Sequence, residues 1–285
     1  MNKSRVLSYL QFIVFLLLGA LVFVVFSHMR PVFAGTIDIV GRMLLVALLL
    51  AGSLLSKRQP KYATYSNTLY AFFVVSVAMA VDLYLPSGKW IASLFVVPID
   101  SPAGIAIDKL DSTIILVSVI LVLWKLRRRK YSDLYLAGGN LKISLLIGGF
   151  LFLVFAALSY YIAILFGAKP YTFTMFMEWL PYILIFIFGN AFNEELMFRG
   201  LFIKDYSTFM GAFFANLVTA IPFVLHHTGV SYTKDTLMFL VILVPLALAW
   251  GHLIRKTNSL WGSVLFHAAT DIPVVISIFS AMQGS

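Results

Sequence analysis

The sequence predicts an all-α protein, a polytopic transmembrane bundle of about eight to nine helices. Of its 285 residues, 61% are apolar and only 12% carry a full charge, whereas soluble domains are typically about 25% charged. The apolar residues form runs of about 20, the length that a helix needs to cross a bilayer. The chain contains no cysteine, which excludes a disulfide framework, a thiolate metal site and a cysteine nucleophile.

Nine apolar runs are candidate membrane spans. In order, they are residues 7–27, 35–55, 67–86, 104–124, 143–167, 175–205, 212–230, 235–254 and 258–281. The fourth run is the weakest candidate, because Asp108 and Asp111 stand at its start. The piece WIASLFVVP that precedes it is expected to be interfacial or re-entrant.

The basic residues indicate how the chain is oriented in a cell membrane. With the N-terminus in the cytoplasm, 15 Lys and Arg fall in cytoplasmic segments, 5 fall outside, and Arg42 lies within a span. This bias favours a cytoplasmic N-terminus. The net charge of +9 comes from short breaks between apolar runs, so we expect contact with membrane lipids and no binding of nucleic acid.

The segment KLRRRKYSDLYLAGGN divides the chain into two chemically different halves. Residues 1–130 form an N-terminal transmembrane half of unassigned role. Residues 140–285 contain all three glutamates and four of the five histidines. Ionisable side chains at membrane depth are costly and mark functional sites, so the second half is predicted to carry the chemistry.

The strongest candidate is the segment FGNAFNEELMFRG, which follows an uninterrupted apolar run. Glu195 and Arg199 are four residues apart and share one helical face, so their pairing would leave Glu194 free. A carboxylate held in this way suits a general base that activates water. The structural alternative is a Glu–Arg pair that fixes the end of a helix.

Two further helices carry histidines. Phe223 and His227 are four residues apart in AIPFVLHHTG, and His267 and Asp271 are four apart in LFHAATD. A hydrogen bond between His267 and Asp271 that joins helices is the structural alternative for the second pair. His226 is a weaker candidate ligand, because it is one helical step away from the face of His227.

The spacing predicts that these side chains converge. Gly211 is the midpoint between Glu195 and His227, so a turn there brings the two to one depth. His267 stands about ten residues from the basic turn at Arg255–Asn258. We therefore expect the residues of all three motifs to line one cavity, and expect it to face the cytoplasm.

The ordered motifs EExxxR, FxxxH and HxxxD resemble those of the CPBP family, the CAAX proteases and bacteriocin-processing enzymes also called the Abi family. The stretch RKTNSLWGSVLFHAATD is similar to that family as well. The resemblance covers about residues 178–275, so residues 140–285 are interpreted as a CPBP/Abi-like intramembrane peptidase core. It implies a membrane-embedded endopeptidase whose substrate is a hydrophobic or lipidated peptide or protein.

The resemblance also implies roles for individual residues. Glu194 would activate water with help from His227, Glu195 would pair with Arg199, and His267 with Asp271 would stabilise the oxyanion. The family more often has Asn at the position of Asp271, and an ionised Asp would repel an oxyanion. Asp271 would then be protonated, orient His267, or help to hold a metal.

Several alternatives stay open at this point. Glu194, His227 and His267 could ligate Zn²⁺ or a similar divalent metal, so the sequence permits both a metalloprotease and a glutamate-type peptidase. A membrane immunity or scaffold protein on the same fold would need no catalysis. A transporter that relays protons through Glu and His is a third reading, but the chain shows no inverted repeat.

Overall fold

In a computed structural model, residues 3–283 are described, and every element among them is helical. The ten α-helices are α1 Lys3–Ala20, α2 Gly35–Arg58, α3 Ser66–Tyr84, α4 Ser87–Leu94, α5 Pro102–Leu126, α6 Leu141–Phe166, α7 Phe173–Glu194, α8 Ile203–His226, α9 Thr236–Thr257 and α10 Trp261–Ala281. Short π-helical segments, Leu21–Val25 and Glu195–Gly200, extend α1 and α7. The all-α prediction is confirmed.

Eight helical segments within the described residues are long and apolar enough to cross a membrane. The chain is therefore a multi-pass membrane protein. Helix α5 coincides with the weak fourth candidate but is not among the eight. Asp108, Lys109 and Asp111 lie near its start and Lys125 near its end, so its apolar stretch is too short to meet the requirement.

The segment before α5 forms its own short helix, α4, which is followed by an irregular stretch. Leu94, Phe95 and Val96 are all strongly exposed there. Gly88 of α4 packs close to Asp108 and Asp111 at the start of α5. Helix α4 is therefore an accessory to the N-terminal end of α5.

The connections gather at two ends of the bundle. At one end, which we call the basic end, the loop that contains KLRRRK meets the α9–α10 turn: Leu260 N–H donates to Tyr135 O over 3.0 Å. At the other end, which we call the opposite end, Lys234 N–H donates to Phe166 O over 3.4 Å. The α1–α2 loop is also at the opposite end, where Arg30 lies against Gly229.

Helix α8 is two helical pieces joined at Gly211, whose φ of 79° and ψ of 167° are not helical. The predicted turn at Gly211 is thus present as a kink within α8. The first piece holds Asp205, which pairs with Arg129 at 3.3 Å, at the basic end. The second piece, residues 212–226, carries His227 at its C-terminal end.

The two halves of the chain pack against each other. Phe23 of the first half stacks on Phe198, with ring centroids 4.2 Å apart. Gly189 of α7 faces Thr113 of α5 so closely that a Cβ there would lie 2.9 Å from the Thr113 hydroxyl. Helix α5 therefore reaches the segment that carries the two glutamates.

Candidate active site

Glu194 lies at the C-terminal end of α7 and points at two histidines from other helices. Its Oε1 is 3.9 Å from His227 Nε2, and its Oε2 is 3.5 Å from His267 Nε2. The side chain is buried, and Oε2 has no hydrogen-bond partner. A buried carboxylate oxygen without a partner is uncommon in proteins and calls for a water or another ligand.

Glu195 has different surroundings, because all of its oxygens accept hydrogen bonds. Arg199 Nη1 donates to Oε1 over 2.9 Å, and His267 Nδ1 donates to the same oxygen over 2.8 Å. Ser263 Oγ donates to Oε2 over 2.7 Å. Glu195, Arg199 and Ser263 are each 0% exposed, so this network forms a closed floor on one side of Glu194.

The main chain changes geometry between the two glutamates. The α-helix ends at Glu194, and a π-helical segment, Glu195–Gly200, begins with the next residue. All six residues of this segment are buried. Wider π-helical turns are rare and occur frequently at functional sites.

Both histidines present the same ring nitrogen to Glu194. His227 Nδ1 donates to the carbonyl of Phe223 over 2.8 Å, while His267 Nδ1 donates to Glu195. These acceptors fix the rings and leave each Nε2 facing Glu194. Trp250 stacks on His267 with ring centroids 3.9 Å apart at 7°, which further limits the rotation of that ring.

Asp271 lies beside His267, one turn along α10. Its Oδ1 is 3.7 Å from His267 Nε2, and its Oδ2 accepts a hydrogen bond of 3.0 Å from Asn190 Nδ2. Sequence reasoning missed Asn190, although it precedes Glu194 by four residues and therefore shares its helical face. Sequence reasoning also missed Trp250, for which the sequence offers no signal beyond an aromatic residue in an apolar run.

The other polar candidates lie elsewhere. His226 turns away from Glu194, donates from Nδ1 to Phe23 O over 2.7 Å and stacks on His28 at 5.5 Å. His252 is exposed. Asp38 and Arg42 form a buried ion pair of 2.6 Å on α2.

The side chains of Glu194, His227, His267 and Asp271 line one cavity of about 80 Å³, which we call the central cavity. A water molecule takes up about 30 Å³ in the liquid, so two or three waters fit. The lining continues to Phe166 and Tyr232 at the opposite end. Both residues also line a crevice of about 570 Å³ at that end, which we call the outer crevice.

The direction of the central cavity bears on two expectations at once. The sequence predicted both a cytoplasmic N-terminus, which places the basic end in the cytoplasm, and a cavity that faces the cytoplasm. The Glu195–Arg199 floor is fully buried, whereas the lining extends to the opposite end. The two expectations conflict with each other, because the cavity at Glu194 and His227 extends toward the end that the basic loops leave free.

The residue types at this site are common metal ligands, but their side chains are not arranged as a metal site in this structure. Within the described residues, no three His, Asp or Glu side chains are grouped closely enough to hold a metal ion. However, the Nε2 atoms of His227 and His267 both face Glu194, and their Nδ1 atoms are held by oxygen acceptors. Such outer acceptors commonly orient metal-ligating histidines, so Zn²⁺ held by Glu194, His227 and His267 is chemically compatible with these residues.

A comparison with known protein families finds a match that covers this site. Residues 176–273 match the family described as Type II CAAX prenyl endopeptidase Rce1-like. The chain contains an Rce1-like domain. This domain begins in α7 and ends in α10, so it includes every candidate residue of the three motifs. No curated protein and no solved structure matches the chain.

The Rce1-like domain supports an endopeptidase activity in general and agrees with the CPBP resemblance of the sequence motifs. Helices α1 to α5 lie outside the matched residues. Nevertheless, two residues from the unmatched N-terminal half line the central cavity: Met29 of the α1–α2 loop and Lys109 of α5. The surroundings of Glu194 are therefore completed by the N-terminal half.

Proposed function

We propose that this protein is an intramembrane endopeptidase of the CPBP family that cleaves a hydrophobic or lipidated peptide or protein with water activated by Glu194. The observation that carries the proposal is the unpartnered Oε2 of Glu194, which is buried between two histidines in a cavity large enough for water. A carboxylate in this position can accept the proton of an attacking water.

The histidines have complementary tasks in this proposal. Because Nδ1 of His227 donates to Phe223 O, the neutral ring presents an acceptor at Nε2 and helps to orient the water. His267 donates from Nδ1 to Glu195, and its imidazolium form would donate from Nε2 to the developing oxyanion. Donors fixed before the reaction stabilise such charge most effectively.

Glu195 and Arg199 act through His267 rather than on the substrate. The buried Glu195 carboxylate holds both the guanidinium and the imidazole. Arg199 also lies over the Phe223 ring, with 4.2 Å between the guanidinium carbon and the ring centroid. Through these contacts Arg199 and Glu195 connect α8, which carries Phe223, to α10, which carries His267.

A divalent metal is the second form of the same proposal. Glu194, His227 and His267 would hold it, and the ion would supply Lewis-acid polarisation of the carbonyl and a bound water of lowered pKa. Asp271 and Asn190 would then act on the substrate from the side of α7 and α10.

One assay separates these readings. The full-length protein and its Glu194→Ala variant are purified in detergent and incubated with a library of hydrophobic peptides, with and without a chelator. Cleavage by the wild type alone supports the endopeptidase. Loss with the chelator and recovery with zinc decides for the metal form, whereas cleavage by the variant removes Glu194 from the reaction. Absence of any cleavage favours the immunity or scaffold alternative.

A further inference from the structure

A groove opens on the surface of the N-terminal half, outside the Rce1-like domain. Its volume is about 400 Å³, and we call it the α1 groove. Helix α1 supplies its floor and one rim: Leu7, Leu10, Gln11, Val14, Phe15 and Leu18. The other wall runs from Ser56 at the end of α2 to Leu69 in α3. The groove shares no lining residue with the central cavity.

The α1 groove has the depth of a single lipid leaflet. Its α1 residues recur three or four positions apart and therefore lie on one helical face. From Leu7 to Leu18 this face rises about 16 Å at 1.5 Å per residue, and half of the hydrocarbon core of a bilayer is about 15 Å. Leu10 and Val14 are 55% and 59% exposed, whereas Phe15 is 6% exposed. These open rims and the closed floor suit one acyl chain.

One end of the α1 groove reaches the basic end of the bundle. Arg127, which belongs to KLRRRK, donates hydrogen bonds of 3.1 Å to the hydroxyls of Ser53 and Ser66, on either side of the α2–α3 connection. Within that connection, the ammonium of Lys61 lies over the Tyr62 ring, 5.3 Å from the centroid. Tyr62 also lines the groove. A positive charge therefore stands where the groove ends.

The basic residues around this point have no acidic neighbours in the sequence. Lys57 directly follows Ser56 of the groove wall, and both Lys57 and Lys61, which we call the groove cations, are exposed. No Asp or Glu precedes Asp38, and none lies between Asp38 and Asp82. The same stretch of sequence contains three further basic residues beside the groove: Lys3, Arg5 and Arg58.

Elsewhere at the basic end, positive charge is neutralised within the protein. Lys204 lies 2.8 Å from Asp133, and Arg129 lies 3.3 Å from Asp205. By contrast, among the described residues no carboxylate oxygen lies within 4.0 Å of either groove cation. The charge at the end of the α1 groove is therefore available to an anion that the chain does not supply.

We propose that the α1 groove binds one anionic phospholipid, with an acyl chain along α1 and the phosphate at the groove cations. Basic pockets between transmembrane helices bind the headgroups of anionic lipids in this way. A second copy of the chain would also cover Leu10 and Val14, but it would bring like charges together, which repel each other. An anionic lipid complements both the apolar rims and the charge. The site does not depend on the endopeptidase function.

The test measures lipid binding to the full-length protein in detergent by native mass spectrometry. Phosphatidylglycerol and phosphatidylcholine with identical acyl chains are titrated, and glycerol phosphate supplies the phosphate without an acyl chain. A double variant, Lys57→Gln with Lys61→Gln, removes the groove cations, and Leu10→Trp fills the groove. Lys142→Gln and Leu48→Trp are the matched controls, because both residues are exposed and neither lines the groove.

We expect one phosphatidylglycerol to bind per chain, about 25-fold more tightly than phosphatidylcholine, because each of two basic residues contributes about fivefold in affinity for anionic lipid. The double variant loses this preference, Leu10→Trp weakens the binding of both lipids, and the controls behave like the wild type. Phosphatidylglycerol should also raise the unfolding temperature of the wild type, because a ligand of the folded state stabilises it. The unfolding temperature without lipid shows that each variant is folded.

Equal affinities for the two lipids, or a preference that persists in the double variant, would overturn the proposal. Three further results would contradict it as well. Unchanged binding by Leu10→Trp would place the lipid outside the groove. Glycerol phosphate that binds as tightly as the lipid would leave only an anion site. A dimer that Leu10→Trp disrupts and that lipid does not affect would assign the groove to a second copy of the chain.

Discussion

Glu194 and Glu195 are neighbours in the chain, but their carboxylates have different surroundings. Three donors occupy Glu195, while Oε2 of Glu194 faces the central cavity without a partner. The distinction arises from the helix, since adjacent residues point about 100° apart. Glu195 therefore faces the protein core, and Glu194 faces the central cavity.

At the residue scale, Arg199 is expected to be a stability residue. Arg199→Met would leave the Glu195 carboxylate buried without its cation, and breaking a buried pair from one side costs about 3–5 kcal/mol. The free energy of unfolding in detergent measures this loss. Lys204→Met is the control, because Lys204 pairs with Asp133 from an exposed position, where a pair contributes about 0–1 kcal/mol. Equal losses in the two variants would contradict the assignment.

Asp271 is the second residue with a specific expectation. Asp271→Asn should retain cleavage, because its amide oxygen can still accept from Asn190 and its NH₂ group can donate to an oxyanion. The initial cleavage rates of wild type and variant give the answer. Complete loss of activity would favour a metal-ligand or base role for Asp271.

At the element scale, the kink in α8 allows His227 to meet Glu194. Gly211 has a positive φ with an extended ψ, a conformation that costs other residues about 1–3 kcal/mol. Gly211→Ala is therefore expected to lower the unfolding free energy and reduce cleavage. Gly149→Ala is the matched control, because Gly149 lies within helix α6 and its Cβ would meet nothing within 4 Å. If both variants behave alike, the kink is not required.

The helices themselves were predictable, because apolar runs report membrane spans directly. The observed bounds of α2, α6 and α9 agree with the predicted ones to within about three residues, although helix ends are the least sharply defined part of a helix. The convergence of the three motifs also followed from helical spacing. By contrast, the position of Lys109 at the central cavity could not be predicted, because a charge near the start of a weak span gives no sign of which cavity it faces.

At the scale of the whole molecule, the central cavity and the basic loops lie at different ends. A cytoplasmic basic end therefore implies that substrate approaches from the other side of the membrane. The absence of cysteine allows single Cys probes. A membrane-impermeant maleimide added to intact cells should label Ser231→Cys, beside the outer crevice, but not Gln59→Cys at the basic end. The reverse labelling would place the cavity on the cytoplasmic side.

The most direct test of the account compares two glutamates of α7, one near its start and one at its end. Glu178 is exposed and Glu194 is buried at the cavity, so Glu178→Gln and Glu194→Gln make the same chemical change on one helix. We measure the cleavage rate of one hydrophobic peptide by each purified, folded variant. The account predicts that Glu178→Gln cleaves like wild type and that Glu194→Gln loses at least about a hundredfold, the lower range for general-base catalysis. Cleavage by Glu194→Gln at the wild-type rate would contradict it.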